Sequence, residues 1–566
     1  MVRTSAGWVL LVASTLGQGA VAQADLRDVL ATFTADLADL GRRYDVPMSP
    51  ERHGRLRARL EQQARELAAM DFEALGRDAR IEWLLLDRHV AARLHRLDEE
   101  RRRDGDAAAL LPFAAPIVGF AEAHRRMEAV DPEAAAKTID AVATGLTGER
   151  RPDVDAAARA EGGAQRVLYA ATRTAELRRA LDRWFRFRDG YDPTFSWWVR
   201  APYEAATKAL LDYEEALRRA VGRLAGDSSL VGAPIGEAAL LRELEYEWIP
   251  YTPAELVAIA EREFAWCDAE MAAASRELGC GDDWRTALEL VKRRHRAPGE
   301  QPQMIKELAH EAIDFLQARD LITVPELAKE CWRMSMMSRE AQRVNPFFLG
   351  GETIQVSFPT DAMAHIEKLQ SLRSNNEHFC RATVHHELIP GHWLQQYSQA
   401  RHRTWREPFD TPFWIEGWAL YWEMRLYAMG FGKTAEDRVG MLYWRKHRCA
   451  RIVFSLNFHL GKWTGPECVR YLIDRVGHEP AAAEGEVRRS VSGGYGPLYQ
   501  AAYMLGGLQL RALHDELVVD GSAWTEKRFH DEILRQNAMP IAVLRAALRD
   551  ELPGKALAPW RFADGR

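Results

Sequence analysis

Cysteine is scarce and scattered in this chain: Cys267, Cys280, Cys331, Cys380, Cys449 and Cys468 are the only six in 566 residues, and no two form a Cys-x-x-Cys pair. That excludes a zinc-thiolate site and a small disulfide-stapled scaffold, and leaves one or two bridges open. An excess of one charge is lacking too, since 82 acidic against 76 basic side chains give a formal charge of −6. Such a balance removes nucleic acid from the possible partners. No apolar run reaches the ~20 residues that span a bilayer. There is no long Ser/Gly/Pro linker and no internal repeat, so no domain boundary is announced. With 47% hydrophobic residues the chain can still bury a large core, which excludes a disordered protein.

At the N-terminus Arg3 precedes an apolar stretch from Trp8 to Val21, interrupted by Ser14, Thr15, Gly17 and Gln18, and then Ala20-Val21-Ala22. This pattern predicts a secretory signal peptide over residues 1–24, cut after Ala22 or Ala24, and hence a periplasmic or secreted protein with no membrane attachment after cleavage. From about residue 25 to 345 Ala, Leu, Arg and Glu recur at helical spacing, with turns at Gly and Pro clusters, which predicts a mainly α-helical protein. One segment departs from this: Thr353 to Pro359 alternates and follows Leu349-Gly350-Gly351, predicting a short strand. An exposed strand edge there would be a ready surface for an extended peptide.

The chemistry concentrates in Val384-His385-His386-Glu387-Leu388-Ile389-Pro390-Gly391-His392-Trp393-Leu394-Gln395, followed by Trp414-Ile415-Glu416-Gly417-Trp418-Ala419-Leu420-Tyr421. In the ordinary His-Glu-x-x-His motif the two imidazoles lie four residues apart, about 40° around a helix, so both reach one zinc while the glutamate acts on the attacking water. Here position 390 is proline, and the second candidate ligand is His392, which an unbroken helix would put about 120° from His386. Pro390-Gly391 therefore has to interrupt the helix, and a bulge there is expected to bring His392 back. His385 is excluded as a partner of His392, because seven helical residues separate them by about 10 Å. Glu416, 24 residues after His392 in an aromatic-rich helix opened by Asp410-Thr411-Pro412, is the expected third ligand. Glu423, two turns on, would orient a ligand histidine.

These segments resemble the bacterial domain-of-unknown-function 885 family, whose His-Glu-x-x-Pro-Gly-His-x-x-Gln and Glu-Gly-Trp-Ala-x-Tyr signatures match His386 to Gln395 and Glu416 to Tyr421. Pro234-Ile235-Gly236 and Trp248 to Leu256 match less specific positions, and the resemblance covers most of the chain. It implies a gluzincin-like metallopeptidase with a zincin-like helical bowl, a deep cleft, and a small β-sheet or edge strand beside the catalytic helix. Two further segments are similar to family positions with departures. In Arg451 to His459, Ser455 stands where aspartate is expected and Asn457 where glycine is expected, while Arg451 and His459 are kept. In Arg488 to Gly506, Tyr499 replaces a glutamine, and Pro497, Tyr503 and Gly506 align. His459 is either a donor to the oxyanion or substrate, or a buried histidine packing a helix. Tyr503 is preferred over Tyr499 and Tyr495 as an oxyanion stabiliser, and Arg489 is either a clamp for a substrate carboxylate or a structural ion pair.

The expectation is thus a single extended helical fold over residues 25–566, with a helical lobe to about 345 and a catalytic lobe from about 346. His386, His392 and Glu416 bind Zn²⁺. Glu387, Tyr503 and His459 are catalytic, and Arg489 and Tyr499 bind a peptide substrate. Carboxypeptidase or oligopeptidase action on short peptides rests on the resemblance alone. The alternatives are an inactive zinc- or peptide-binding protein of the same fold, or a metal-dependent amidase or lyase acting on a non-peptide metabolite.

Overall fold

The computed structural model describes residues 26–148, 151–225, 230–342, 345, 347–491, 495–520, 524–549 and 551–564. The expected signal segment lies outside these. The protein is mainly α-helical with one small sheet, as its residue spacing predicts. Helix starts follow local capping chemistry. Thr252 and Glu255 form a reciprocal capping box with Pro253 in the first turn, and Thr434 and Asp437 do the same for the helix Ala435–His459. Thr411 caps Pro412–Ala428 by accepting from the Phe413 amide, the start anticipated from Asp410-Thr411-Pro412.

The packing does not divide near residue 345. One core is built from Val46 and residues between 107 and 221, around the helices Ala114–Arg125, Pro132–Thr147, Gly163–Arg186 and Pro193–Ala225. The other unites residues 26–97 with the rest of the chain from 230 to 563. The physical reason is that the first helices pack onto the C-terminal half. The buried Glu82 accepts from Trp405 Nε1 at 2.9 Å and pairs with Arg406 at 2.9 Å, and Arg80 donates to the Pro553 carbonyl at 3.1 Å.

The sheet has three strands, β1 (Arg333–Met336), β2 (Phe348–Leu349) and β3 (Thr353–Val356), in the order β1-β3-β2. β3 pairs in parallel with β1 and antiparallel with β2. The predicted strand is therefore central, not an edge, and its main chain is already taken up on both sides. What it delivers to the site is its turn. The Gly351 amide donates to the Glu387 carbonyl at 3.2 Å, and a Cβ on Gly350 would lie 2.2 Å from Glu387 Oε2.

The helix Ala435–His459 runs through the interior and is buried almost all round. Its buried cations are each matched by a carboxylate, as burial of charge requires: Arg445 to Glu263 at 2.7 Å, Lys446 to Asp268 at 3.1 Å, Arg448 to Glu423 at 3.2 Å and Arg451 to Glu486 at 2.7 Å. All six cysteines are free thiols.

Candidate metal centre

The site begins with the helix Glu377–Glu387, capped by the Asn376 side chain. It ends at Glu387 because Leu388 leaves the helical region with φ −110° and ψ −105°; the Ile389–Pro390 peptide that follows is cis. The Gly391 amide turns back to donate to the His385 carbonyl at 3.0 Å, and a Cβ at Gly391 would fall 1.8 Å from the His386 carbonyl oxygen. Only glycine fits. A second helix, His392–Gln399, then starts at the second histidine. The interruption is thus a complete break between two helices and not a bulge within one, and it sets the rings of His386 and His392 4.8 Å apart. Two signature residues hold the break in place. Trp418 Nε1 donates to the Pro390 carbonyl at 2.8 Å, and Gln395 Nε2 donates to the Trp414 carbonyl at 3.0 Å.

Glu416 arrives on the helix Pro412–Ala428. That helix lies in backbone contact with Tyr499–His514, since a Cβ on Gly417 would be 2.6 Å from the Cα of Gly506. Glu416 Oε2 stands 3.5 Å from His386 Nε2 and 3.2 Å from His392 Nε2, and one ligand atom from each of the three residues lies within 4.8 Å of the others. Donors about 2.1 Å from one zinc in tetrahedral array lie roughly 3.4 Å apart, so the two Glu416 spacings suit a single ion. His386, His392 and Glu416 are 1%, 7% and 4% exposed. Oε2 of Glu416 has no hydrogen-bond donor among the described residues, whereas Oε1 accepts from the Tyr499 hydroxyl. A buried carboxylate oxygen left to two imidazole nitrogens is an observation that itself suits a cation. Burial would raise the Glu416 carboxyl, but His392 and His386 hold it well below the usual carboxylate range.

His386 is oriented from behind. Its Nδ1 lies 2.6 Å from Glu423 Oε1, which places the carboxylate on the ring side away from Glu416 and leaves Nε2 facing the cluster. Burial acts against the Glu423 charge, yet Arg448 and His386 hold its carboxyl at about 2. Arg448 carries no motif signal in the sequence. Only its pairing with Glu423 reveals it.

Glu387 points to the same space, with Oε2 4.0 Å from His392 Nε2, and its side chain keeps 12% exposure, more than any of the three ligands. Burial raises its carboxyl above the usual range, against the pull of His386 and His392. Tyr503 lies with its ring parallel to His386 at 6.1 Å, under the guanidiniums of Arg451 and Arg448 at 4.2 and 4.7 Å. Arg489 Nη2 lies 3.5 Å from the Tyr503 hydroxyl, and its guanidinium covers Tyr495 and Tyr499 at 4.5 and 5.7 Å. The tyrosine that hydrogen-bonds to a residue of the cluster is Tyr499, through Glu416. His459 sits at the end of its helix, about 16 Å along the axis from Arg448. There its carbonyl accepts from the Gly236 amide at 2.9 Å, and burial pushes its ring down to about 4. Among the described residues no hydrogen bond or ring contact ties it to the His-His-Glu cluster. His385 is enclosed against Phe431 and pushed by burial down to about 3, in keeping with its exclusion as a ligand.

The chain matches, over residues 32–548, the family described as bacterial protein of unknown function (DUF885). Among solved structures it is similar to a "putative lipoprotein of unknown function" from Shewanella oneidensis, at 16% identity and TM-score 0.68, covering 92% of this chain and 99% of that one. It is also similar to a "putative lipoprotein" from Colwellia psychrerythraea, at 14% identity and TM-score 0.57, covering 92% and 97%. At these identities the likeness concerns the fold. Comparison with curated proteins gives no match.

Proposed function

The chain belongs to the bacterial DUF885 family, and from that premise we propose that it is an exported zinc-dependent metallohydrolase that cleaves peptide bonds in short peptides. The observation that carries this reading is the convergence of His386, His392 and Glu416 on one point with Glu387 beside them. His386, His392 and Glu416 would hold the ion, three protein ligands leaving a coordination position free, as in catalytic zinc sites. Zinc bound there supplies Lewis acidity that polarises a carbonyl and lowers the pKa of water.

The remaining roles belong to the protein. Glu387, raised by burial and partly exposed, takes a proton from the attacking water and later delivers it to the leaving amine. Glu423, backed by Arg448, keeps His386 in the ligating tautomer. Tyr499 holds Glu416 through Oε1 and so aims Oε2. Tyr503 stabilises the developing oxyanion, and Arg489 pairs with a substrate carboxylate, which favours peptides with a free C-terminus. His459 is left with a structural part. A pure binding protein would need the ligands but not a proton acceptor beside them, so Glu387 supports catalysis over binding alone.

Export is proposed from the N-terminal sequence pattern. The family likeness to structures named as lipoproteins supports an envelope location, and no described helix is long and apolar enough to cross a membrane. The reading is tested by metal analysis and a mixed peptide library. Wild type is expected to carry about one zinc and cleave, as a three-ligand site predicts. Glu416→Ala is expected to lose both. Wild type that cleaves no peptide when loaded with zinc would overturn the peptidase reading.

A further inference from the structure

A cavity of about 490 Å³ lies behind the helix that carries Glu416. Arg425, on its wall, is nine residues from Glu416 and so about 180° around that helix. The volume falls in the range of small-molecule sites, roughly 300–1,000 Å³. Its floor is apolar, with Ile259, Met424, Leu508 and Phe562 at 4%, 5%, 3% and 3% exposure. The C-terminal segment forms one wall and is fixed there: the Ala563 amide donates to the Tyr251 hydroxyl at 2.9 Å, and Phe562 meets the Tyr251 ring edge-on at 5.2 Å.

The rim has the opposite character. Arg262, Arg425 and Arg511 line it above the buried Arg445, against the carboxylates of Glu263 and Asp515. Glu263 is shared between Arg445 at 2.7 Å and Arg511 at 3.0 Å, Arg425 pairs with Glu526, and Asp515 lies 3.4 Å from His514. Among the described residues, even with Glu526 counted, four guanidiniums face three carboxylates. The Arg262 Nη2 donates, among the described residues, to a carbonyl, that of Ala563 at 3.2 Å, and to no carboxylate. Trp266 stands at this rim with 38% exposure, its ring 3.8 Å from the Arg445 guanidinium. An apolar floor beneath a rim with surplus guanidinium matches a ligand with an apolar body and one anionic head.

We propose that this cavity binds a small organic monocarboxylate with an apolar body, at a site separate from the His-His-Glu cluster. The apolar body occupies the floor between Leu508 and Phe562, and the carboxylate joins the arginines at the rim. The inference does not depend on the peptidase reading.

The test is isothermal titration calorimetry on the full chain with decanoate below its micelle concentration, alongside 1-decanol and acetate. Decanoate is expected to bind saturably at one site, and both controls at least about tenfold more weakly, a loss of about 1.4 kcal/mol for each missing half of the ligand. Ala428→Trp, at an exposed lining position, is expected to abolish decanoate binding, and Arg511→Met to weaken it about tenfold. If Ala428→Trp melts early, the half-exposed Arg511→Met decides. No saturable decanoate binding, equal binding of decanol or acetate, or wild-type affinity in Arg511→Met would each overturn the proposal.

Discussion

Glu423 is the residue whose removal separates holding a metal from orienting its ligand. Its carboxylate lies 2.6 Å from His386 Nδ1, on the ring side away from Glu416. Glu423→Gln is expected to weaken zinc about 10- to 100-fold, measured by chelator competition, while the fold persists. Gly391→Ala acts on the break itself. Its Cβ would sit 1.8 Å from the His386 carbonyl, so the variant is expected to lose zinc and to melt markedly lower in a thermal scan. The grouping of His386, His392 and Glu416 could be read from sequence, because metal ligation restricts residue types and proline at 390 rules out the four-residue spacing. Arg448 and the Tyr499 hydroxyl could not be read, since arginine and tyrosine serve many roles and only their partners Glu423 and Glu416 define these ones.

Among the elements, the helix Ala435–His459 gives the clearest pH prediction. Tyr443 donates its hydroxyl to His478 Nδ1 at 2.7 Å, and His478 Nε2 meets His447 Nδ1 at 2.8 Å. Burial, opposed by Glu486 and aided by Lys292, pushes His478 from 6.5 to about 3. A histidine held neutral in the folded state adds stability that is full above 6.5 and is lost as pH falls toward 3. Within that window its single proton contributes about 1.4 kcal/mol per pH unit. His478→Gln is therefore expected to be less stable at pH 7.5 but to lose stability less steeply between pH 6.5 and 4.5, as read from urea midpoints in the two proteins. The helix start at Thr411 was legible because capping is local. The position of β3 within its sheet was not, because β1 (Arg333–Met336) carries no alternating pattern and is mostly exposed.

For the whole molecule, the two cores separate stability from metal binding. Leu177 is fully buried in the core of residues 107–221, away from the cluster. Leu177→Ala is expected to cost about 2–5 kcal/mol in denaturant unfolding with zinc affinity unchanged. The sequence indicated one helical fold without a linker. It did not indicate that residues 26–97 join the C-terminal half, because that packing rests on pairs hundreds of residues apart, such as Glu82 with Arg406.

The central claim is that a metal held by His386, His392 and Glu416 works together with Glu387 as proton carrier. Its most direct test is peptide turnover as metal-stripped protein is titrated with zinc, in wild type and Glu387→Gln. Turnover should rise from zero to a plateau at about one equivalent in wild type, as a single three-ligand site predicts. Glu387→Gln should bind the same zinc yet cleave at least about 100-fold more slowly, the low end of a general acid–base contribution. Turnover in the stripped protein, or wild-type turnover in zinc-loaded Glu387→Gln, would contradict the account.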